Sequence, residues 1–440
     1  MESPSSPFQS LPMLIVRKII EYLEKRAGTS FDLNIDAYNQ GKSVLTTLLS
    51  VSERCCAAAL VSICDNCLLS FDYSCKAIEV SFPAWPASVP YSQYRKTHPV
   101  KRVVVSATLW KEMCDGTFCD IVTRSQYENM SFPSAKTLVL NISKTTRAVK
   151  PIFGTVNSST YFTPVAATDV EKVTNFARSL LQLSPAITDA IVSTRSIDDK
   201  EPNSSQLYNT LVSELCRGSV KSLQVHSGLE ASIMSIDICV SGLASIKQGL
   251  FMASAPFAEL AYLNMGTLES LEIKIVAEAN WRALIYGSTE TLAVYSNLKR
   301  LALTVNDVPY TETWVAIEAL APFPVLSALD VCGGYPFDDD LLFRGNGDTL
   351  KSLRLPFGAI AKNALIRFNV LQRCDSIRMN SIHSLVLTNL VFDLGHIIRV
   401  ITALPSLASL TCEVRGLRSN IGEIPTDERP ESLRSAHYPQ

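Results

Sequence analysis

The residues of this 440-residue chain that could most readily do chemistry are its cysteines. Cys64 and Cys67 form a Cys-x-x-Cys pair, which is a spacing found in structural zinc sites, but such a site needs four ligands at suitable separations. No histidine lies near this pair in the sequence, and the spacing to any second cysteine pair is irregular. We therefore interpret these residues as buried, reduced thiols, the usual state of cysteine in a long intracellular chain.

Other candidate chemical groups are equally isolated along the chain. A histidine that acts as a general base needs a nucleophile partner. No such partner is visible near any of the five histidines, so we interpret them as packed or surface imidazoles. They are His98, His226, His383, His396 and His437. The Gly345–Gly347 segment lacks the lysine of a phosphate-binding loop, and residues 338–340 read as a solvated acidic turn. The sequence therefore predicts no enzyme, no cofactor and no metal site.

Composition limits the class of protein further. Hydrophobic residues make up 47% of the chain and charged residues 19%, with a formal net charge of -2, so a large core is expected and no basic excess exists to neutralise phosphates. The first twelve residues carry an acid and no positive segment, and no charge-free apolar run reaches the ~20 residues of a spanning helix. We expect a cytoplasmic or nuclear protein whose partners are neither nucleic acid nor membrane.

A short apolar pattern recurs along the chain. Segments 219–225, 267–273 and 349–355 share one seven-residue pattern: Ser or Thr, Val or Leu, any residue, Ser, Leu, any residue, and an aliphatic residue. In a second group of three segments, 132–140, 323–331 and 404–412, a proline stands five positions before the corresponding leucine. The key leucines are Leu223, Leu271, Leu301, Leu329, Leu353, Leu385 and Leu410. The interval from Leu223 to Leu271 is about twice the shortest of the others, so we expect one further unit inside it.

Strand and helix patterns alternate at short spacing. The leucine motif alternates apolar and polar residues, as a half-buried strand requires, and weaker strands are predicted at 100–105 and 187–192. Helical spacing of apolar residues predicts intervening helices at 170–181, 207–215, 314–320, 365–371 and 397–404. A surface loop is expected at 194–206. Such alternation predicts an α/β fold with a parallel sheet and helices outside it.

This part of the chain, about residues 95–415, resembles the leucine-rich-repeat family. The resemblance implies a solenoid, a horseshoe of parallel strands whose neighbouring units bury one continuous core. The chain departs from the family at most units, because the usual asparagine or cysteine after each strand is missing. The alternative for the same pattern is an ordinary doubly wound α/β domain.

The N-terminal residues carry a second pattern. A Leu-Pro pair is followed by an aliphatic stripe spaced by four residues, and a second segment reads Leu48-Leu-Ser-Val51-Ser52. These residues are similar to the F-box family. Two departures are Cys55, where a tryptophan is common, and about twenty inserted residues at 24–43. The expected organisation is an all-helical F-box-like head at 1–75, an irregular leucine-rich-repeat domain at 76–415 and a disordered tail at 416–440.

The F-box resemblance implies docking on the Skp-type adaptor subunit of a cullin–RING ubiquitin ligase. The residues that would form this contact are Leu11, Pro12, Ile15, Ile19, Ile20, Leu23, Leu48, Val51 and Ser52. An apolar helical surface of this kind is normally covered by another protein. The alternative is that the head only caps the open end of the solenoid.

The resulting hypothesis is a substrate-recruiting adaptor, in which the head binds the ligase and the repeat surface binds an unknown protein target. In horseshoes of this type the polar strand side chains face inward, so Gln224, Glu272, Asp330 and Arg354 are candidate target contacts. One alternative is a ligase-independent leucine-rich-repeat scaffold. A third class, an α/β hydrolase or transferase, would need a pocket with converging polar groups at the strand ends.

Overall fold

The structure is a computed structural model of the chain. It describes residues 12–16, 18–19, 55–56, 58–59, 66–72, 77–81, 100–108, 132–143, 167–195, 202–227, 240–249, 254–287, 292–305, 322–333, 349–356, 381–392 and 404–417. The chain divides into two compact units, Met1–Leu263 and Asn264–Gln440. Each unit is an α/β arrangement built on mainly parallel strands.

The described residues of the first unit form seven strands in the order β2-β1-β3-β4-β5-β6-β7. They are β1 Asn66–Asp72, β2 Ala77–Ser81, β3 Arg102–Thr108, β4 Thr137–Ser143, β5 Asp189–Arg195, β6 Ser222–Ser227 and β7 Ser245–Gln248. The first two form an antiparallel hairpin, and every later pairing is parallel. A parallel connection needs a long crossover, which explains why long segments separate these strands.

Besides the helical residues at 13–19 and 55–59 that are described only in part, three helices with defined bounds are described in the first unit: α1 Ala167–Leu183, α2 Pro202–Cys216 and α3 Ser254–Leu263. The apolar stripe of α1, including Val173, Phe176 and Leu180, is buried as its helical spacing predicts. Proline suits the start of α2, where no backbone N–H is needed. The buried Glu214 of α2 pairs with Arg217 of the same helix and, at 3.4 Å, with Arg178 of α1, so an ion pair joins the two helices.

The described residues of the second unit form six strands in the order β8-β9-β10-β11-β12-β13, all parallel. They are β8 Ser270–Ile275, β9 Arg300–Val305, β10 Ala328–Gly333, β11 Ser352–Pro356, β12 Ser384–Phe392 and β13 Ser409–Leu417. The helix α4, Glu278–Tyr286, follows β8. The Asn280 side-chain oxygen accepts hydrogen bonds from the backbone N–H groups of Val276 and Ala277 at 3.3 and 3.1 Å, which satisfies donors at the start of α4.

The key leucines occupy one continuous ladder in each unit. In the second unit the register pairs Leu271, Leu301, Leu329, Leu353, Leu385 and Leu410 in succession. In the first unit Leu223 pairs with Ile246 of β7. Strand β7 is therefore the extra repeat that the long interval before Leu271 predicted, and this prediction is confirmed.

From β3 to β7 and from β8 to β13, each strand is joined to the next by the same backbone contact. The carbonyl of Lys299, just before β9, accepts hydrogen bonds from the N–H groups of Ser327 and Ala328, both at 2.9 Å. The carbonyls of Lys101, Lys136, Thr188, Lys221, Glu269, Ser327, Lys351 and His383 each accept two such bonds from the following unit in the same way. The contact fixes where neighbouring strands start, and it thereby sets the register of the leucine ladder.

Aromatic side chains fill the core of the second unit between successive repeats. Phe323 lies 5.2 Å from Tyr295 and 6.3 Å from Trp281, measured between ring centroids, with tilted ring planes. All three rings are buried, and the Tyr295 hydroxyl donates to the Leu284 carbonyl at 2.8 Å. Tilted rings at these distances are a favourable arrangement, so the cluster connects three consecutive segments of the unit.

The predicted parallel α/β architecture is confirmed, and it is compatible with a solenoid. Helices predicted at 170–181 and 207–215 and strands predicted at 100–105 and 187–192 are present with small boundary shifts. Two features differ from expectation, since β1 lies inside the range assigned to an all-helical head and α2 begins within the predicted loop 194–206. The predicted helices 314–320 and 365–371 and residues 397–403 lie outside the described residues, as do tail residues 418–440.

The search for a membrane span gave no candidate. None of the helices in the described ranges combines the length and the hydropathy that crossing a bilayer requires.

Candidate protein-binding surfaces

The first candidate surface is a helical turn near the N-terminus. Met13, Leu14 and Ile15 expose 36, 67 and 44% of their surface, whereas Val16 is buried at 2%. The turn is held by backbone hydrogen bonds from Ile15 and Val16 to the Pro12 carbonyl. We call the exposed triplet Met13–Ile15 the apolar turn. Water-exposed contiguous apolar side chains of this size mark contact sites for other proteins.

The structure places only part of the predicted adaptor-binding set. Pro12 and Ile15 are exposed, and Ile19 is half-buried. Leu11, Ile20, Leu23, Leu48, Val51 and Ser52 lie outside the described residues. Among the helical residues that follow, Cys55, Ala58 and Ala59 are buried. The exposed stripe is shifted relative to the predicted one, because Leu14 is on the surface and Val16 contributes to the core.

The second candidate surface is the strand face opposite the leucine ladder. Strand side chains alternate between two faces, and the register places equivalent positions of neighbouring strands side by side, in a row across the sheet. We give the name polar row to the row of the second unit that follows the key leucines by one position. Its members are Glu272, Ala302, Asp330, Arg354, Val386 and Thr411. Ala302 is buried, and the other members are half-buried or exposed, so this face of the second unit is accessible to a partner.

Two of the predicted target contacts are brought together in the polar row. Asp330 and Arg354 are register partners, and the Arg354 Nε lies 3.8 Å from the Asp330 Oδ1. The Cys332 thiol donates to the same carboxylate at 3.4 Å. Both charged side chains keep about a third of their surface exposed, so their pairing is screened by solvent and serves mainly to orient the two groups. Glu272 lies two strands away on β8.

Gln224, the fourth predicted contact, belongs to the first unit. Its side-chain nitrogen is hydrogen-bonded to the His226 ring, two residues further along the same strand face. Gly249 packs directly against this histidine, since an added Cβ would lie 2.7 Å from the His226 Cα and from the Val225 carbonyl. The close approach requires glycine at this position, and the Gly249 N–H donates a hydrogen bond to the Val225 carbonyl, next to Gln224 on β6.

The middle of this face in the first unit is apolar. Val104, Val139 and Ile191 occupy the row that continues to Gln224, and they are exposed by only 6, 1 and 8%. We call them the apolar trio. The opposite faces of the same strands are also buried, as shown by Val105, Leu140 and Val192. Strands β3, β4 and β5 are therefore buried on both faces at the row of the trio, whereas polar residues two positions away on the second face are half-buried: Arg102, Thr137, Asn141 and Asp189.

Sequence reasoning did not identify the apolar trio, although a signal for it was present. Strands buried on both faces read as continuous hydrophobic runs, and such runs occur at residues 103–105, 138–140 and 190–192. The second-face residues His226, Lys274 and Cys332, all half-buried, were also not proposed as contacts. Each lies two positions after a predicted contact on the same strand.

Two titratable groups are buried inside the helical layer of the first unit. Desolvation raises the pKa of the Cys216 thiol to about 12. Burial, with a smaller contribution from Cys216, also raises the pKa of the Tyr208 phenol far above its usual range. Neither group can ionise near neutral pH in this environment. Both residues are on α2, away from the strand faces described above, and they contribute to packing.

Metal-ligating chemistry is also missing from the parts of the chain that can be placed. No group of three or more histidine, cysteine, aspartate or glutamate side chains is arranged to hold a metal ion within the described ranges. The predicted thiol pair Cys64–Cys67 falls partly outside them, since only Cys67 is placed, on β1.

Comparison with known proteins adds no further identification. No protein-family model matches the sequence, and no curated protein matches it significantly.

Proposed function

We propose that this chain is a substrate-recruiting adaptor of a Skp–cullin–F-box type ubiquitin ligase, with an F-box-like head and a leucine-rich-repeat horseshoe. The observation that carries the proposal is the apolar turn, where three consecutive large hydrophobic side chains are exposed ahead of a stack of parallel repeats. The head binds the Skp-type subunit through this turn. The polar row and the half-buried residues around Gln224 bind the protein target.

The physical argument for docking is the free energy of covering the apolar turn. Each Å² of apolar surface removed from water contributes roughly 25 cal/mol, and Leu14 and Ile15 expose 67 and 44% of their surface. Val16, buried behind them, anchors the turn. A pre-ordered apolar anchor is the type of feature that dominates binding free energies at protein interfaces.

The test is binding of the purified full chain to a Skp-type subunit. We expect a stable complex for the natural sequence and at least about 30-fold weaker binding for the Leu14→Asp, Ile15→Asp double variant, since each loses an apolar anchor. The matched control is Val325→Asp, which places the same charge at an exposed valine of the second unit and is expected to bind normally. Both variants alter exposed positions, so both should fold.

The alternative is a ligase-independent scaffold whose head only caps the repeats. Buried Val16, Cys55, Ala58 and Ala59 favour it, because they show that part of the head has a packed core. Failure of the natural chain to bind a Skp-type subunit, or equal binding by the double variant, would establish this alternative over the adaptor.

A further inference from the structure

The strands of the first unit begin with an excess of positive charge. Four cationic residues stand either just before a strand or at its first position, in β3, β4 and β6: Lys101, Arg102, Lys136 and Lys221. The three lysines are exposed, and Arg102 is half-buried. We call these four residues the basic edge. At the same two positions of β3–β7, all of which the structure describes, Asp189 of β5 is the only acid.

Backbone hydrogen bonds hold the basic edge in a row. The Lys101 carbonyl accepts a bond from the Lys136 N–H at 2.9 Å. The Lys136 carbonyl accepts one from the Thr188 N–H at 2.8 Å, and the Thr188 carbonyl accepts one from the Lys221 N–H at 2.7 Å. Neighbouring strands are about 4.8 Å apart, so the row from Lys101 to Lys221 spans about 14 Å. The cations are therefore attached to an ordered backbone before any partner arrives, which lowers the entropic cost of binding.

This concentration of like charge is unfavourable for the free protein. Lys101 and Arg102 of β3 stand beside Lys136 of β4, and like charges on neighbouring strands are destabilising. The helices of the same unit have the opposite balance, with four acids against two cations: Asp169, Glu171, Glu214 and Glu259 against Lys172 and Arg178. Charge is thus separated between the helices and the strand starts, and an anionic partner at the strand starts would relieve the repulsion there.

The same positions of the second unit are balanced differently. Lys299, just before β9, forms an ion pair at 3.0 Å with Glu269, just before β8. An acid of the neighbouring strand start therefore already neutralises one of the cations there. In the first unit, the Asp189 carboxylate instead accepts a hydrogen bond from the Thr188 hydroxyl at 2.7 Å. The stronger attraction for an anionic partner is expected at the basic edge of the first unit.

The row favours an acidic polypeptide over a nucleic acid. Strands β3–β7 contain no phenylalanine, tyrosine or tryptophan on which bases could stack. Asp189, in the middle of the row, would repel a continuous phosphate backbone, whereas a polypeptide can place an uncharged residue opposite it. An extended chain advances about 3.3 Å per residue, so acids four positions apart are separated by about 13 Å, close to the span of the row.

We propose that the basic edge binds an acidic segment of the protein target, an extended chain with glutamate or aspartate at alternate positions that crosses the starts of β3–β6. Gln224, already a candidate target contact, lies on β6 three residues after Lys221, so the two contacts are neighbours on one strand. This inference names the chemistry of the target, and it rests on the target-binding part of the proposed function rather than on the ligase part.

The test is binding of a fluorescein-labelled peptide of alternating glutamate and serine to the purified full chain, measured by fluorescence anisotropy. We expect binding that weakens as salt rises from about 0.02 to about 0.2 M, because exposed charges are screened. Lys136→Glu combined with Lys221→Glu should weaken binding by about tenfold or more, since each change replaces an attraction with a repulsion. Both lysines are exposed, so the double variant should fold.

The matched control is Lys299→Glu combined with Lys351→Glu. It makes the same charge change at exposed positions just before β9 and β11 and should leave peptide binding nearly unchanged. Replacing every glutamate of the peptide by glutamine should abolish binding. No binding of the glutamate peptide, an equal loss in the two double variants, or tighter binding of oligothymidylate than of the peptide would each overturn the proposal. None of these measurements involves a Skp-type subunit, so failure here is distinguishable from failure of the ligase part of the proposed function.

Discussion

Strands β3–β5 and strands β8–β11 have the same parallel pairing but differ in how their second faces are buried. The apolar trio fills the middle of this face in the first group, with Val139 exposed by only 1%. In the second group, the polar row carries Glu272, Asp330 and Arg354 at half-buried positions. The comparison teaches that one repeat pattern can produce two kinds of strand. The difference depends on the residue that follows the key apolar position: an apolar residue there buries the second face, and a polar residue there leaves that face accessible to a partner.

The change that should break this contrast most strongly is Val139→Asp. An unpaired carboxylate at this position would be buried without a partner, so we expect the free energy of unfolding to fall by more than about 4 kcal/mol, or the first unit to fail to fold. Val386→Asp makes the same change in the equivalent row of β12, where the side chain is half-exposed, and should cost less than about 1 kcal/mol. Urea denaturation measures both, and equal losses would contradict the two-face description of β3–β5.

Alkaline pH should destabilise the first unit through Cys216. The unfolded thiol titrates from its ordinary pKa of 9.0, whereas the folded thiol keeps its proton until about pH 12. Between these values the unfolded state binds fewer protons, so stability falls as pH rises, by up to about 1.4 kcal/mol for each pH unit. Urea denaturation at pH 9 and about pH 11 should show this loss, and Cys216→Ala should reduce it to the part contributed by Tyr208, whose pKa is also raised by burial. An identical pH slope in the two proteins would show that the thiol titrates normally.

Two buried tyrosines should respond in opposite directions when the hydroxyl is removed. Tyr295→Phe deletes the hydrogen bond to the Leu284 carbonyl and should lower the free energy of unfolding by about 1 kcal/mol. The Tyr208 hydroxyl finds no hydrogen-bond partner among the described residues, so Tyr208→Phe should leave stability unchanged or raise it slightly. Thermal unfolding of the two variants makes the comparison, and a loss at Tyr208 as large as that at Tyr295 would show that its hydroxyl is satisfied.

The smallest stability effect is expected in the polar row. Glu272→Ala should change the free energy of unfolding by no more than about 0.5 kcal/mol, because the side chain is half-exposed. If the row contacts the target, the same change weakens capture of target proteins from cell extract, as measured by proximity labelling. Glu259→Ala, at an exposed position of α3, is the matched control. Equal capture by the natural chain and the Glu272 variant would remove β8 from the contact surface.

The repeated part of the fold was predictable because its physics is local. The alternation around Leu271, Leu329 and Leu353 specifies a strand, and the similar intervals between these leucines specify stacking of equivalent units. Even the repeat at Ile246, whose motif is degenerate, was indicated by the doubled interval before Leu271. The register then followed, because the key leucines lie opposite one another.

The candidate surfaces were less predictable. Ile15 was expected on the apolar stripe of the head, but the rotation that exposes Leu14 and buries Val16 depends on what packs behind the helix, which local spacing does not encode. The Asp330–Arg354 pair depends on the register between β10 and β11. Strand β1 was missed because the range 1–75, expected to be all-helical, included its residues, and β2 lies at the start of the expected repeat domain, where no strand was predicted.

The carbonyl that accepts two hydrogen bonds at the junctions from β3 to β7 and from β8 to β13 has a consequence for how these repeats are gained and lost. The Lys299 and Lys351 carbonyls each accept hydrogen bonds only from the next repeat along the chain. If one whole repeat were deleted, the carbonyl before the gap could therefore accept the same two hydrogen bonds from the repeat after the gap. Unequal recombination can therefore lengthen or shorten such an array without a new joint having to arise. Variation in copy number would then be tolerated far better than a change of one or two residues inside a repeat.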